Sequence, residues 1–339
     1  MQKWNRDLRF NDYFNDWLYA DDGYYANYKA IGKDGDFYTS VSTSKFFGGA
    51  IANHFVRRIN AGEFPEDTLI VEIGAHKGYL LADFIQFVYT LKPELLGTLR
   101  FAIIERFNSL QQTQKEYLNQ SFGDAVTIEH YKDLSELKAD HAFVIANEIF
   151  DAFPCTLVYK GKEAVVKDHA IEWSDDVEPY TKEIMERYNI EKGEIGLGYE
   201  SFAGVMGESF AHCEFVTFDY GDILPRNDFS ARVYKSHNVY PLFEADMKTL
   251  YKNSDITYDV HFQHLIDAFE SEGFEKEKYA TQMVALNDFG ITELLEILEK
   301  NVTYEQYLKE VGKVKTLLNP AFLGERFKMV NFLKGRRDQ

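Results

Sequence analysis

The chain has 339 residues, is 45% hydrophobic and 16% aromatic, and carries a formal net charge of −18. Its length fits two domains or one large decorated one with a sizeable core, and 28 Phe and 22 Tyr exclude a disordered chain. The negative charge repels phosphates, which argues against nucleic acid and anionic membrane surfaces as partners.

In chain order, residues 1–20 carry Trp4, Leu8, Phe14, Trp17 and Leu18 at roughly helical spacing. A Gly-, Asp- and Tyr-rich stretch follows, "DDGYYANYKAIGKDGDFYTS", and reads as an ordered loop. A second helix is expected at about 44–60, ending at Gly62 and Pro65. From there the pattern alternates. "TLIVEIG", "LRFAIIE", "AVTIEHY" and "HAFVIAN" read as strands, and "GYLLADFIQFVYTL", "SLQQTQKEYLNQSF" and "DLSELKA" as the helices between them. Apolar strands separated by helices predict an α/β fold with a doubly wound, mostly parallel sheet covered on both faces. "TLVYKGKEAVVKDHAIEW" reads as an inserted ribbon, and residues 174–200 as acidic helix and loop. "CEFVTFDYG" resumes the sheet, and "ARVYKSHNVYPLFEA" reads as irregular. "VHFQHLIDAFESEGFEKEKYATQMVAL" gives helix, turn and strand; two helices and a terminal strand, "RFKMVNFL", follow. The expected divisions are a helical cap at 1–65, a core at 66–225 with an insertion at about 157–210, and an extension at 226–339.

Cys155 and Cys213 lie in apolar contexts and are expected to be inert thiols rather than a disulfide framework. No Cys/His spacing fits a zinc site, and His261 and His264, one helical turn apart, have no evident third ligand, so no metal is expected. The first residues lack the h-region of a secretory signal, and no stretch reaches the ~18 apolar residues of a membrane span. The expected location is cytoplasmic.

In an open parallel sheet, ligands lie beyond the carboxyl ends of the strands. There the sequence places Glu72, Gly74, Ala75 and Gly78 after the first strand and Glu105 after the second. Asp133 follows the third, Asn147, Glu148 and Asp151 the fourth, and Asp219 and Tyr220 the fifth. This rim is acidic, whereas a phosphate site wants amides and cations. It suits a ligand with hydroxyls and a positive charge. S-adenosylmethionine fits: Glu105 can accept both ribose hydroxyls, Gly74 allows close backbone approach, and Glu72 would lie near the ammonium end. Asn147 also reads as a helix cap, and His76 as a tolerated turn residue.

"GYYANYKAIGKDGDFYTSVSTSKFFG", "VEIGAHKGYLLADF", "FAIIERFNSLQQTQ", "ANEIFDAFP", "FDYG" and "NPAFLGERFKMVNFL" resemble, in that order, the MidA-type methyltransferases. These are class I S-adenosylmethionine-dependent enzymes related to the mitochondrial complex I assembly arginine methyltransferase. The resemblance covers roughly residues 20–335. It implies a Rossmann-like class I methyltransferase fold with S-adenosyl-L-methionine as cofactor. It puts the glycine turn on Gly74 to Gly78, the ribose-binding acid on Glu105, and the motif after the fourth strand on Asn147, Glu148 and Asp151. Gly35, Asp36, Phe37 and Thr39 would belong to a segment closing over the cofactor. The chain departs from the family in three places. Its turn reads Gly-Ala-His-Lys-Gly where the family has Gly-Pro-Gly-Arg-Gly, "GDFYTSVST" lacks a Pro and an acid, and Asp259 and His261 exchange places.

The leading expectation is methyl transfer to a nitrogen of a protein side chain, arginine by resemblance, with Asn147, Glu148 and Asp151 as catalytic residues. Thr39, Glu72, Gly74, Ala75, Gly78, Glu105, Asp133 and Asn147 would bind the cofactor. By resemblance the protein substrate would be a respiratory complex I subunit. The alternatives are a non-catalytic assembly or scaffold protein that keeps the fold and, more remotely, an NAD-dependent enzyme.

Overall fold

A computed structural model describes residues 8–26, 39–236 and 238–335. The chain divides into two compact units, both discontinuous in sequence: one of Met1–Phe37, Ile149–Ser201 and Tyr220–Ala268, the other of Tyr38–Glu148, Phe202–Asp219 and Phe269–Gln339. Trp4, Gly35, Asp36 and Phe37 lie outside the described residues.

The second unit holds the predicted sheet. Its strands are β1 (Leu69–Ile73), β2 (Arg100–Ile104), β3 (Ile128–Tyr131), β4 (Ala139–Asn147), β5 (Phe210–Asp222, to Asp219 in this unit), β6 (Glu275–Thr281) and β7 (Phe327–Lys334). Their order across the sheet is β6-β7-β5-β4-β1-β2-β3. Neighbours from β5 to β3 run parallel, and β6 is antiparallel to β7. This is the class I, Rossmann-like arrangement expected from the sequence. The reason lies in strands such as β1, whose five residues are all buried. A strand covered on both faces cannot alternate, so it reads as a continuous apolar run. Fully burying Leu69, Ile70, Val71 or Ile73 stabilises by roughly 1.5–3 kcal/mol, and Glu72 is the polar exception in the run.

Three helices flank the strands that carry the site: α1 (Phe46–Asn60), α2 (Tyr79–Leu91) and α3 (Asn108–Phe122). α1 and α2 bury Phe47, Ile51, Phe55, Leu81, Phe84 and Val88 in one core with Ile70, Phe101, Phe143 and Phe218. β3 begins at Ile128, later than the apolar pattern from 125 suggests, and the short helix expected after it is a 3-10 turn, Leu134–Glu136. At the other end of the strands, the buried Glu214 carboxylate of β5 meets His54 Nε2 at 2.6 Å, Arg58 Nε at 3.1 Å and Asn331 Nδ2 at 3.1 Å. Arg58 also pairs with Glu277 of β6.

The first unit contains an antiparallel sheet in the order Leu8–Arg9, Lys162–Lys167, Cys155–Tyr159, Lys192–Gly196, with Ala170–Ser174 paired to Lys162–Lys167. A helix, Phe10–Tyr19, buries Phe10, Tyr13, Phe14, Trp17 and Leu18, the i, i+3, i+4, i+7, i+8 stripe of an amphipathic helix. Trp17 Nε1 donates to the Ser254 carbonyl at 2.7 Å, which satisfies its one polar atom inside the core. The segment read as irregular forms a hairpin, Arg232–Lys235 with Asn238–Pro241, and Asp255–Thr257 pairs on its other side. Both cysteines are free and buried, and burial raises both thiols. Among the described residues, no group of His, Cys, Asp or Glu is placed to hold a metal, and no helix is long and apolar enough to cross a membrane.

Candidate active site

In the second unit the carboxyl ends of β1 to β4 bring Glu72, the 74–78 turn, Glu105, Asp133, Asn147 and Glu148 to one edge of the sheet. The turn is unusual in backbone conformation. Gly74, His76 and Gly78 all adopt left-handed angles, with φ of 70°, 49° and 81°. Only glycine does so without strain, so His76 costs roughly 1 kcal/mol. The turn is anchored from both sides: Gly74 N donates to the Ile104 carbonyl of β2 at 3.1 Å, and Gly78 N to Ala75 O at 2.6 Å. Gly78 is also the N-cap of α2, with no side chain to accept from the first helical amides. Glu72 does that work. Its Oε2 accepts from Leu81 N at 3.0 Å. Burial pushes this carboxyl up to about 8, against the opposing pull of the Leu81 bond.

Glu105 lies just past β2 and is 6% exposed. Its Oε1 accepts from Phe107 N at 3.0 Å, and Gln114 Nε2 of α3 stands 3.4 Å from its Oε2. Burial raises its pKa, and these two bonds with Arg106 draw it back. Asp83, on α2, is likewise pushed by burial, to about 7, with Lys45 opposing. Raised carboxyls gathered at one sheet edge are a mark of functional sites. His76 is exposed at the turn. Displacement of water by surrounding protein, helped by Lys77, takes its imidazole down to about 4, so at neutral pH it brings no positive charge.

The remaining predicted residues divide. Ala75 is buried within the turn. Asp133 is exposed and accepts from Ser135 N and Oγ at 2.9 and 2.6 Å, which lowers its pKa. Asn147 Nδ2 donates to Glu148 Oε1 at 2.7 Å, so Asn147 is not the helix cap its position allowed; its buried Oδ1 has no partner among the described residues. Glu148 has φ 55°, and its amide donates to Phe218 O at 2.8 Å. Thr39 caps a short helix, Ser40–Thr43, in a capping box with Ser42. This helix occupies the place where the motif lacks its Pro and acid. Ser40 Oγ anchors it by donating to Gln282 Oε1 at 2.8 Å.

Asp151 belongs to the first unit, in the 3-10 turn Phe150–Ala152. The carboxylate is 4% exposed. Tyr220 Oη donates to its Oδ2 at 2.5 Å and also meets Thr257 Oγ1. Tyr258 N donates to the Asp151 carbonyl at 3.1 Å. Burial pushes the carboxyl up to about 6, and the Tyr220 bond draws it back. Tyr25, half-buried, donates to Asp255 Oδ1 at 3.1 Å, and Tyr19 to Ala152 O at 2.8 Å. Sequence reading missed Tyr25, Thr257, Tyr258 and Gln114. Gln114 alone left a signal: it is a polar residue between Leu110 and Leu118 on the buried stripe of α3. Of the exchanged pair, Asp259 binds Arg226 at 2.7 Å, and burial takes His261 down to about 4.

Residues 50–280 match the family model of an S-adenosyl-L-methionine-dependent methyltransferase. The chain belongs to this family. The methyltransferase is 23% identical, over 92% of its length and 78% of theirs, to the "Protein arginine methyltransferase NDUFAF7 homolog, mitochondrial" of Drosophila melanogaster. It is 22% identical to the human "Protein arginine methyltransferase NDUFAF7, mitochondrial", over 94% of its length and 78% of that protein. A crystal structure of a Burkholderia thailandensis protein bound to S-adenosyl-homocysteine superposes with a TM-score of 0.82 at 23% identity, covering 98% of this chain and 89% of that one, and so shares the fold. The methyltransferase family's cofactor is S-adenosyl-L-methionine, as expected. The expected cytoplasmic location is overturned, because these relatives are mitochondrial by name.

Proposed function

We propose that this methyltransferase moves the methyl group of S-adenosyl-L-methionine to a side-chain nitrogen of a protein, with arginine as the acceptor. The observation that carries the cofactor half is the acidic sheet edge: a buried Glu105 beside a left-handed turn in which Lys77 is the one cationic residue. These donors and acceptors suit a ribose and a sulfonium better than a pyrophosphate. The arginine half is supported by the names of the relatives.

The cofactor supplies a methyl carbon bonded to a positively charged sulfur. The protein's task is to align an acceptor nitrogen behind that carbon and to take its proton, so positioning provides most of the rate. Glu105 would receive the ribose hydroxyls. Glu72, Gly74, Ala75, Gly78 and Thr39 would line the cofactor, with Asp133 and Asn147 as further acceptors for its polar groups. Glu148 would hold a cationic acceptor through charge-assisted hydrogen bonds. The carbon–sulfur bond would break as the carbon–nitrogen bond forms, leaving S-adenosylhomocysteine; Asp151, near 6, is mostly ionised at pH 7.5 and is by the family resemblance the group that would accept a proton. A complex I subunit is the substrate that the family resemblance suggests.

Calorimetry with S-adenosyl-L-methionine tests the first half; no binding at millimolar cofactor sinks it. Mass spectrometry of proteomes with and without the gene tests the second, where no lost methyl-arginine mark sinks the acceptor. A scaffold role is the second reading, favoured by the His76 strain and by the commitment of Thr39 to its cap. It predicts partner binding that survives a Glu148→Ala/Asp151→Ala double change.

A further inference from the structure

We infer that Gln114 is the positioning residue of the cofactor site: a single buried side-chain amide sets the spacing between the 74–78 turn and the Glu105 carboxylate. The inference rests on Glu105 being the ribose acceptor. Gln114 has none of its surface exposed, and it sits on α3 between the buried Leu110 and Leu118. A polar group in such a place costs stability unless its hydrogen bonds are made, and here only the nitrogen makes them, since Oε1 has no partner among the described residues. Its Nε2 donates to the His76 carbonyl at 2.9 Å and reaches Glu105 Oε2 at 3.4 Å. A peptide carbonyl and a carboxylate both only accept, so the amide nitrogen, and not its oxygen, faces them.

The same helix grips Glu105 a second time. Gln111 Nε2 donates to the Glu105 carbonyl at 2.7 Å. With Phe107 N on the other carboxylate oxygen, the plane of the carboxylate is fixed while each oxygen keeps a lone pair for a ligand. The turn needs a hold of its own, because His76 stands in a left-handed conformation that its side chain disfavours. The Gln114 bond lands on the carbonyl of that very residue. α3 also backs the end of the turn: a Cβ on Gly78 would meet the Leu118 side chain at 3.4 Å and Gln114 at 3.8 Å. Turn, helix and acid therefore form one rigid frame, and a ligand reaching from the turn to Glu105 meets a preset distance.

Titration calorimetry with two probes tests this, S-adenosylhomocysteine and its 2′,3′-dideoxy analogue. Gln114→Met keeps the volume and removes both donor hydrogens. Its affinity for S-adenosylhomocysteine should fall about tenfold, with little change for the analogue, which has no hydroxyls for Glu105 to accept. Gln114→Glu keeps the shape, loses the amide donors and should show the same selective loss; it decides the matter if the Met variant does not fold by circular dichroism. Equal losses for both probes, or no loss for either, in a folded variant overturn the inference. Wild-type protein that binds neither probe, or both equally, overturns instead the reading of Glu105.

Discussion

The Tyr220 hydroxyl lies 2.5 Å from Asp151 Oδ2 and donates to it, and through that bond a tyrosine on the fifth strand governs the charge of a buried carboxylate. The bond favours the ionised form, while burial and Asp259 disfavour it. Tyr220→Phe removes the donor and nothing of the ring. Asp151 should then titrate above 6, and the acid limb of the methyl-transfer pH profile should move to higher pH. Tyr25, Tyr258 and Asp259 remain in place around it. An unchanged acid limb would show that Asp151 does not carry the proton.

Glu72 gives a stability prediction of the opposite kind. Its folded pKa, about 8, lies above the ordinary 4.5. The folded state thus holds the proton more tightly, and the stabilisation is complete below 4.5 and lost as pH rises toward 8. Glu72→Gln can still accept from Leu81 N and has no charge to bury. The variant should be more stable than wild type by about 4 kcal/mol at pH 9 and within about 1 kcal/mol of it at pH 5. Urea unfolding at the two pH values reads the difference.

Glu105→Ala should weaken S-adenosylhomocysteine binding by about 10- to 100-fold, the loss of one or two hydrogen bonds to a charged acceptor. Calorimetry reads the change, and unaltered affinity would move the ribose elsewhere.

The Glu214 network tests how an ion cluster behaves out of water. His54 and Arg58 hold its pKa down against burial. Glu214→Ala leaves Arg58 facing only Glu277 and Glu63 and should cost about 3–5 kcal/mol in chemical unfolding. In wild type the contribution of this carboxylate is present above pH 4.5 and fades as pH falls through its lowered folded pKa.

The parallel sheet was legible because β1, β2 and β4 carry the apolar runs 69–71, 101–104 and 142–146, and because Gly74 and Gly78 mark the turn that ends one strand and starts a helix. Asn238–Pro241 was not, since all four residues are exposed and no periodicity survives in a strand with no buried face. Lys192–Gly196 disappeared into an acidic stretch for a related reason: two of its five residues are glycines, which pack no side chain. At the candidate site, the acids after each strand were readable from position alone. Their partners were not. Tyr25 meets the Asp255 carboxylate, and Thr257 the Tyr220 hydroxyl, from distant parts of the chain, and a hydrogen bond of that kind leaves no local pattern. The capping box at Thr39 could have been seen only by reading Ser42 as the Glu or Gln of the usual motif.

The sheet order also has a consequence for synthesis. β7, made from residues 327–334, lies between β5 and β6, both of which leave the ribosome earlier. Until β7 arrives, the growing chain carries β5 with one side unpaired, a row of free amides and carbonyls open to another chain. A ribosome stalled before residue 327 would therefore release a product that already holds the whole glycine turn and Glu105 but is prone to aggregate. A premature stop late in the gene should be as damaging as one near its start.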